Sequence, residues 1–166
     1  MNTTHFGAHA VYQHTGPINV EGALQNALSL PDSDALDLEK ATIGFSFNTS
    51  NVFREQGLVS RDARQYDGDG NHLTVFIRDG ALQVRMQDGE TDLFLVYEGL
   101  STNTEYNVAV TFGDGVGQLV VNGEVVDSGE TDLTWETSPE YLQIGAVGWS
   151  SQTGEDAHKS PLQGDI

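Results

Sequence analysis

The sequence predicts an all-β protein, an antiparallel sandwich or barrel, on three grounds. Apolar residues recur with a period of two in one short segment after another, the pattern of strands with one buried face. Turn residues punctuate these segments closely, and the 166-residue chain holds 19 glycines. No stretch keeps apolar residues at the 3.6-residue period over three turns, so no amphipathic helix is expected.

Residues 1–26 read as a lead-in or edge segment. They carry His5, His9 and His14, but Gly7, Gly16 and Pro17 oppose the helix that would gather imidazoles around a metal. The period-two pattern begins at Ala27–Leu30 and ends at the turn Pro31–Asp34. In Thr42–Asn48, Ile43, Phe45 and Phe47 share one face while Thr42, Gly44 and Ser46 share the other. Gln56–Ser60 follows. A hairpin then joins His72–Arg78 to Ala81–Gln87 through Asp79-Gly80, with Leu73, Val75 and Ile77 facing inward opposite Leu82, Val84 and Met86. Asp92–Tyr97, Tyr106–Phe112 and Gln118–Val121 are further strands. Asn122-Gly123 is the strongest hairpin signal, because both central residues of a type I′ turn need positive φ. Glu124–Asp127 pairs back, and Tyr141–Ala146 is the last clear strand before the polar loop Gly148–His158.

Composition narrows the function. A length of 166 residues suits one domain that buries a sizeable core. There is no cysteine, so disulfides and thiolate chemistry are excluded. Net charge is -18, from 25 acidic and 7 basic residues, which repels nucleic acid and anionic membranes. The acidity fits either a solubilising surface in a salty medium or divalent-cation binding through carboxylates. No apolar run is long enough to span a bilayer, and Met1–His5 lacks the start of a signal peptide.

The order of segments resembles a known family. Gly57-Leu58-Val59-Ser60-Arg61-Asp62 precedes the Asp79-Gly80 hairpin. Tyr106–Phe112 stands where the family has W-H-H-V-A-V-T-F, Leu119–Gly123 where it has L-Y-V-N-G, and Leu142–Ala146 where it has L-x-I-G-A. The chain is similar, over about residues 27–166, to laminin-G-like domains of the concanavalin A-like lectin/glucanase superfamily. The resemblance implies a jelly roll of two antiparallel sheets. It also implies binding of carbohydrate or protein ligands, often with calcium, within a larger secreted or cell-surface protein. Bacterial versions occur in adhesins. Two departures stand out. Glu105-Tyr106 replaces the usual tryptophan, and the family's final strand of the type D-x-V-x-I-Y does not follow Gly164-Asp165-Ile166. The sandwich is therefore expected to lack its last strand, to be completed by a later segment, or to have its edge covered by Val11, Ile18 or Val20.

Three regions are candidates for chemistry. Asp67, Asp69 and Asn71 alternate like the first ligands of an EF-hand, but His72 stands where the glycine belongs and Arg78 where the bidentate glutamate belongs. With Asp62 the loop remains either a calcium site of another type or a plain connection. The second region, Trp149–His158, offers Trp149 to stack on a sugar ring and Glu155 and Asp156 as further calcium ligands. Trp149, like Trp135, is otherwise a cap on the core. The third is the polar face of the hairpin: His72, Thr74, an exposed Phe76 and Arg78 beside Gln83, Arg85 and Gln87. This face reads as a binding groove or as a merely solvated or inter-domain surface. Catalysis is not expected, since the superfamily's glucanase motif E-x-D-x-x-E is absent, as is G-x-S-x-G.

These readings converge on a calcium-dependent, lectin-like adhesion module binding carbohydrate or cell-surface glycan. The alternative is a structural or protein-binding module, packed on a neighbouring domain, that calcium only stabilises.

Overall fold

A computed structural model describes residues 16–62, 71–87, 92–136, 140–148 and 159–166. Among them the helical elements include two single 3-10 turns, Leu24–Asn26 and Asp34–Leu36. The rest of the regular structure is eleven strands: β1 (Leu28–Leu30), β2 (Ala41–Thr49), β3 (Gln56–Arg61), β4 (His72–Arg78), β5 (Ala81–Gln87), β6 (Asp92–Glu98), β7 (Tyr106–Gly113), β8 (Val116–Val121), β9 (Glu124–Glu130), β10 (Leu142–Ile144) and β11 (Gly164–Asp165). They form a six-stranded sheet, β1-β10-β3-β4-β5-β6, and a five-stranded sheet, β11-β2-β7-β8-β9. All ladders are antiparallel. This is the expected two-sheet sandwich.

Three two-residue turns fix the registers. Asp79-Gly80, Asp114-Gly115 and Asn122-Gly123 all have positive φ at both positions, the geometry whose twist matches paired strands. Across β4-β5-β6 the register aligns Leu73, Met86 and Leu93, then Val75, Val84 and Leu95, then Ile77, Leu82 and Tyr97. These rows face the second sheet, and the six hairpin residues named as inward are all fully buried. From the other sheet Phe47, Val108, Val110, Phe112, Leu119 and Val121 meet them in one core. Phe47 stacks on Tyr106 at 5.5 Å between ring centroids, and Phe112 lies 5.1 Å from Trp135. Trp135 is thereby a core residue, 2% exposed, and not a surface platform.

The two ends of the described chain meet. β11 pairs with the end of β2, Gly164 opposite Thr49, and Asn19 bridges Asp165 on the other side. Ile18 and Ile166 exchange backbone hydrogen bonds of 2.8 and 3.1 Å. Ile18 and Val20 thus flank β11, whereas Val11 lies outside the described residues. No helix among the described residues is long and apolar enough to cross a membrane.

A single arginine pins the rim of the sandwich. Arg61 ends β3 facing inward and is fully buried. Its guanidinium donates to Glu140 O at 3.2 Å, Leu36 O at 2.6 Å and Asp32 Oδ1 at 2.7 Å, and lies 5.1 Å over the Trp135 ring. Burial pulls its pKa below the usual arginine value, against the charges of Asp32, Asp37 and Glu140. An arginine still remains a cation at neutral pH.

Candidate functional site

The outer face of the six-stranded sheet follows from the same registers. One row runs Ser60, Thr74, Arg85, Phe94, and the next runs Gly57, Phe76, Gln83, Val96. Strand alternation sets these opposite to the core rows. The face is not open along its length. Gly57 has no side chain, and a Cβ there would lie 2.1 Å from the carbonyl carbon of Ala146 and 2.3 Å from Val147 N. The absence of that atom lets the segment after β10 cross directly over β3. Val147 is bridged to Lys159, and Ser160 O accepts from the Gly57 N–H, so both pieces of chain are fastened there.

This crossing walls off a cavity of about 400 Å³. Thr74, Phe76, Arg78 and Arg85 come from the hairpin, Asp92 and Phe94 from β6, and Val147 and Lys159 from the crossing segments, with Glu55 and Asp62 flanking β3. Phe76 is only 6% exposed, with the Arg78 guanidinium 5.1 Å over its ring. Phe94, two strands away on β6, is 49% exposed and presents an open aromatic surface.

The charged groups are held in place by one another. Glu55 pairs with Arg78 and lies 3.7 Å from Lys159 Nζ, while Ser160 Oγ donates to it at 3.1 Å. Arg85 lies 3.3 Å from Asp92 and 4.0 Å from Asp62. The Thr74 hydroxyl donates to Asp62 Oδ2 at 3.0 Å. Burial opposes ionisation of Glu55, but hydrogen bonds from Arg78 and Ser160 and the charges of Arg78 and Lys159 outweigh it and hold its pKa low. A lowered carboxylate pKa adds stability above the ordinary carboxylate range, and that stability is lost as pH falls through the folded-state value. Glu55→Gln is therefore expected to melt slightly below wild type at pH 7, by under about 1 kcal/mol. The gap should close below about pH 4. A gap that acid leaves unchanged would deny Glu55 this role.

The structure brings together part of the expected site. Arg85, Phe76 and Asp62 line the cavity. The expectation of an exposed Phe76 is corrected: Arg78 and its neighbours cover most of the ring. His72 is 2% exposed and sits behind the cavity, its Nδ1 3.4 Å from both Asp62 Oδ1 and Glu140 Oε1. It supports Asp62 and is not a lining residue. Asn71 is half-buried just before β4. Asp67, Asp69, Trp149, Glu155 and Asp156 lie outside the described residues. Among the described residues no group of three or more His, Asp or Glu side chains is arranged to hold a metal ion. Asp62 faces a hydroxyl donor and an imidazole, so the described residues alone do not make a calcium site.

Several lining residues escaped the sequence reading. Phe94 had a usable signal, since alternation from Asp92 puts it on the side of Arg85 once β5 and β6 pair. Val147 and Lys159 had none, because a chain crossing over a sheet leaves no periodicity.

Comparison with known proteins supports the architecture. A family model described as the concanavalin A-like lectin/glucanases superfamily matches residues 21–165. Among curated proteins no relative matches. Among solved structures, the CBM40 module of the Ruminococcus gnavus IT-sialidase bound to α2,3-sialyllactose superposes with a TM-score of 0.60 at 19% identity, covering 78% of this chain and 73% of that one. Domains LG4-5 of the mouse laminin α1 chain give 0.62 at 14% identity, covering 84% of this chain and 36% of theirs. A leech intramolecular trans-sialidase complexed with 2,7-anhydro-Neu5Ac gives 0.66 at 16% identity over 92% of this chain, but this chain spans only 24% of that enzyme. At these identities the likeness concerns the fold.

Proposed function

The chain belongs to the concanavalin A-like lectin/glucanases superfamily, and from that premise we propose that it is a carbohydrate-binding module that takes its ligand in the cavity on the six-stranded sheet. One observation carries this reading. Within about 400 Å³ the cavity joins aromatic surface, supplied by the half-exposed Phe94 with the covered Phe76 beneath Arg78, to fixed polar groups, Thr74, Arg85 and Asp92. A sugar ring needs that combination: apolar C–H faces lie on aromatic rings, and hydroxyl groups exchange hydrogen bonds with oriented polar side chains. The sialyllactose-bound relative supports it as a precedent for sugar binding on this fold. The role is binding rather than catalysis, a view supported by the absence of the E-x-D-x-x-E sequence. The setting we propose is an adhesion module of a larger extracellular or surface protein.

Calcium belongs to this proposal as well. Asp62, on the cavity wall, and Asn71, just before β4, are the described members of the proposed ligand set; Asp67, Asp69, Glu155 and Asp156 would complete it.

Calorimetry against a panel of oligosaccharides, with and without EGTA, tests both parts. Phe94→Ala is expected to weaken binding by about tenfold, the scale of one lost aromatic contact, with an unchanged melting temperature. Binding that survives Phe94→Ala undiminished would move the site elsewhere. EGTA is expected to lower affinity; equal affinity and equal melting temperature in EGTA would remove calcium.

A second reading rests on the opposite face. The three central strands of the five-stranded sheet, β2, β7 and β8, present Thr42, Gly44, Ser46, Asn107, Ala109, Thr111, Gln118 and Val120 outward, none of them charged, with Glu130 and Asp165 at the sheet's edges. In a chain of net charge -18 such a flat neutral surface suits a neighbouring domain of the same polypeptide. That contact is compatible with a sugar site on the other sheet.

A further inference from the structure

The carbohydrate reading leaves the class of sugar open, and the distribution of charge narrows it. The chain has only 7 lysines and arginines against 25 carboxylates. Three of those seven, Arg78, Arg85 and Lys159, line this one cavity. They come from the end of β4, the middle of β5 and the crossing segment, so no local run of basic sequence explains their meeting. Two of the others are occupied in structural contacts: Arg61 is buried at the rim, and Lys40 pairs with Asp114 on the surface. The cavity also holds three carboxylates, Glu55, Asp62 and Asp92, so its formal charge is balanced while the whole chain stands at -18.

The carboxylates orient the cations without enclosing them. Arg85 keeps 22% of its side chain exposed, Lys159 38% and Arg78 47%. A neutral sugar has no need of three cations, because hydroxyl and amide groups satisfy it. A carboxylate gains from even one of them: a guanidinium offers paired, charge-assisted donors matched to its two oxygens. Elsewhere the acidic surface repels such a ligand, and physiological salt screens that repulsion beyond about 8 Å. A local balanced patch is then sufficient to receive an anion.

We infer that the ligand is an acidic glycan, one whose sugar carries a carboxylate, with Arg85 as its principal anchor. Arg85 shares a row with Thr74 and Phe94. The carboxylate meets the guanidinium while the ring lies along Phe94. Arg78 stands four residues beyond Thr74 along β4, roughly 13 Å away at strand spacing, with Lys159 of the crossing segment gathered near it by Glu55, and the two meet a second charged or hydroxylated unit. The inference rests on the carbohydrate reading and specifies it.

The test is calorimetry with matched probes: α2,3-sialyllactose against lactose, and trigalacturonic acid against its methyl ester. The acidic member of at least one pair is expected to bind at least tenfold more tightly. That advantage should shrink several-fold between 50 and 500 mM salt. Arg85→Gln should abolish the preference with little change in melting temperature, and Lys159→Gln, on a more exposed side chain, should reduce it. Neutral and acidic probes binding equally would overturn the acidic assignment and leave the carbohydrate reading standing. A preference that survives Arg85→Gln would overturn its role as anchor. No binding of any of the four probes would count against both.

Discussion

Arg61→Ala is expected to lower the melting temperature by roughly 10 °C. The substitution removes the donors to two buried carbonyls, Glu140 O and Leu36 O. Each buried acceptor left without a donor costs about 1–3 kcal/mol. It also opens a void under Trp135, which adds a cavity term of similar size. A total of about 3 kcal/mol or more corresponds to that shift in a domain of this size. Asp32 is half-exposed and returns to water, so the loss falls short of that for a pair broken in the deep interior. Arg61→Met refills the volume without restoring the hydrogen bonds, and is expected to melt between Arg61→Ala and wild type. Thermal denaturation of the three proteins decides it. If Arg61→Ala melts within about 2 °C of wild type, the arginine does not hold the rim.

Gly57→Ala is the second large effect, and one methyl group produces it. The new Cβ would overlap backbone atoms of Ala146 and Val147, which cannot swing aside as a side-chain tip can. The crossing segment must move outward, straining the hydrogen bonds Gly57 N–H to Ser160 O and Gly145 N–H to Leu58 O. Overpacking of this kind costs about 1–3 kcal/mol. Displacing Val147 and Lys159 also opens the cavity wall, so affinity for the proposed sugar ligand should fall together with stability. Gly44→Ala is the control. It sits in β2 with nothing within 4 Å of its Cβ position and no positive φ, so it is expected to be neutral or slightly stabilising. Equal melting curves for Gly57→Ala and wild type would show that the crossing segment is not in close contact.

The sequence made the sandwich legible because strand alternation and two-residue turns are local properties. Leu73, Val75 and Ile77 declare their face by spacing alone, and Asn122-Gly123 declares its turn by the conformation that glycine tolerates. The site was legible only where it lies on such a strand. Arg85 and Phe76 were placed on the correct face by alternation, but their exposure depended on what lies above them, which alternation does not encode. His72 shows the same limit: its face was readable, but its approach to Glu140, a residue 68 positions away in sequence, was not. Arg61 and Trp135 show it in the core. Neither has a signal that pairs it with the other, and a buried arginine runs against the usual expectation for that residue type.

The meeting of residues 18–20 with 164–166 has a mechanical consequence. Ile18 is paired with Ile166, and Val20 N–H donates to Gly164 O at 3.0 Å. Tension drawn through residues 18 and 166 therefore enters both antiparallel segments at the same end of their ladder. It peels them apart one pair at a time rather than loading every bond together in shear. The Ile18–Ile166 pair is the first to open, followed by the contacts at Gly164, which exposes β2 before the core rows of β4 and β5 bear load. Under pulling, this edge is expected to open before the rows of β4 and β5, an order that single-molecule force measurement checks.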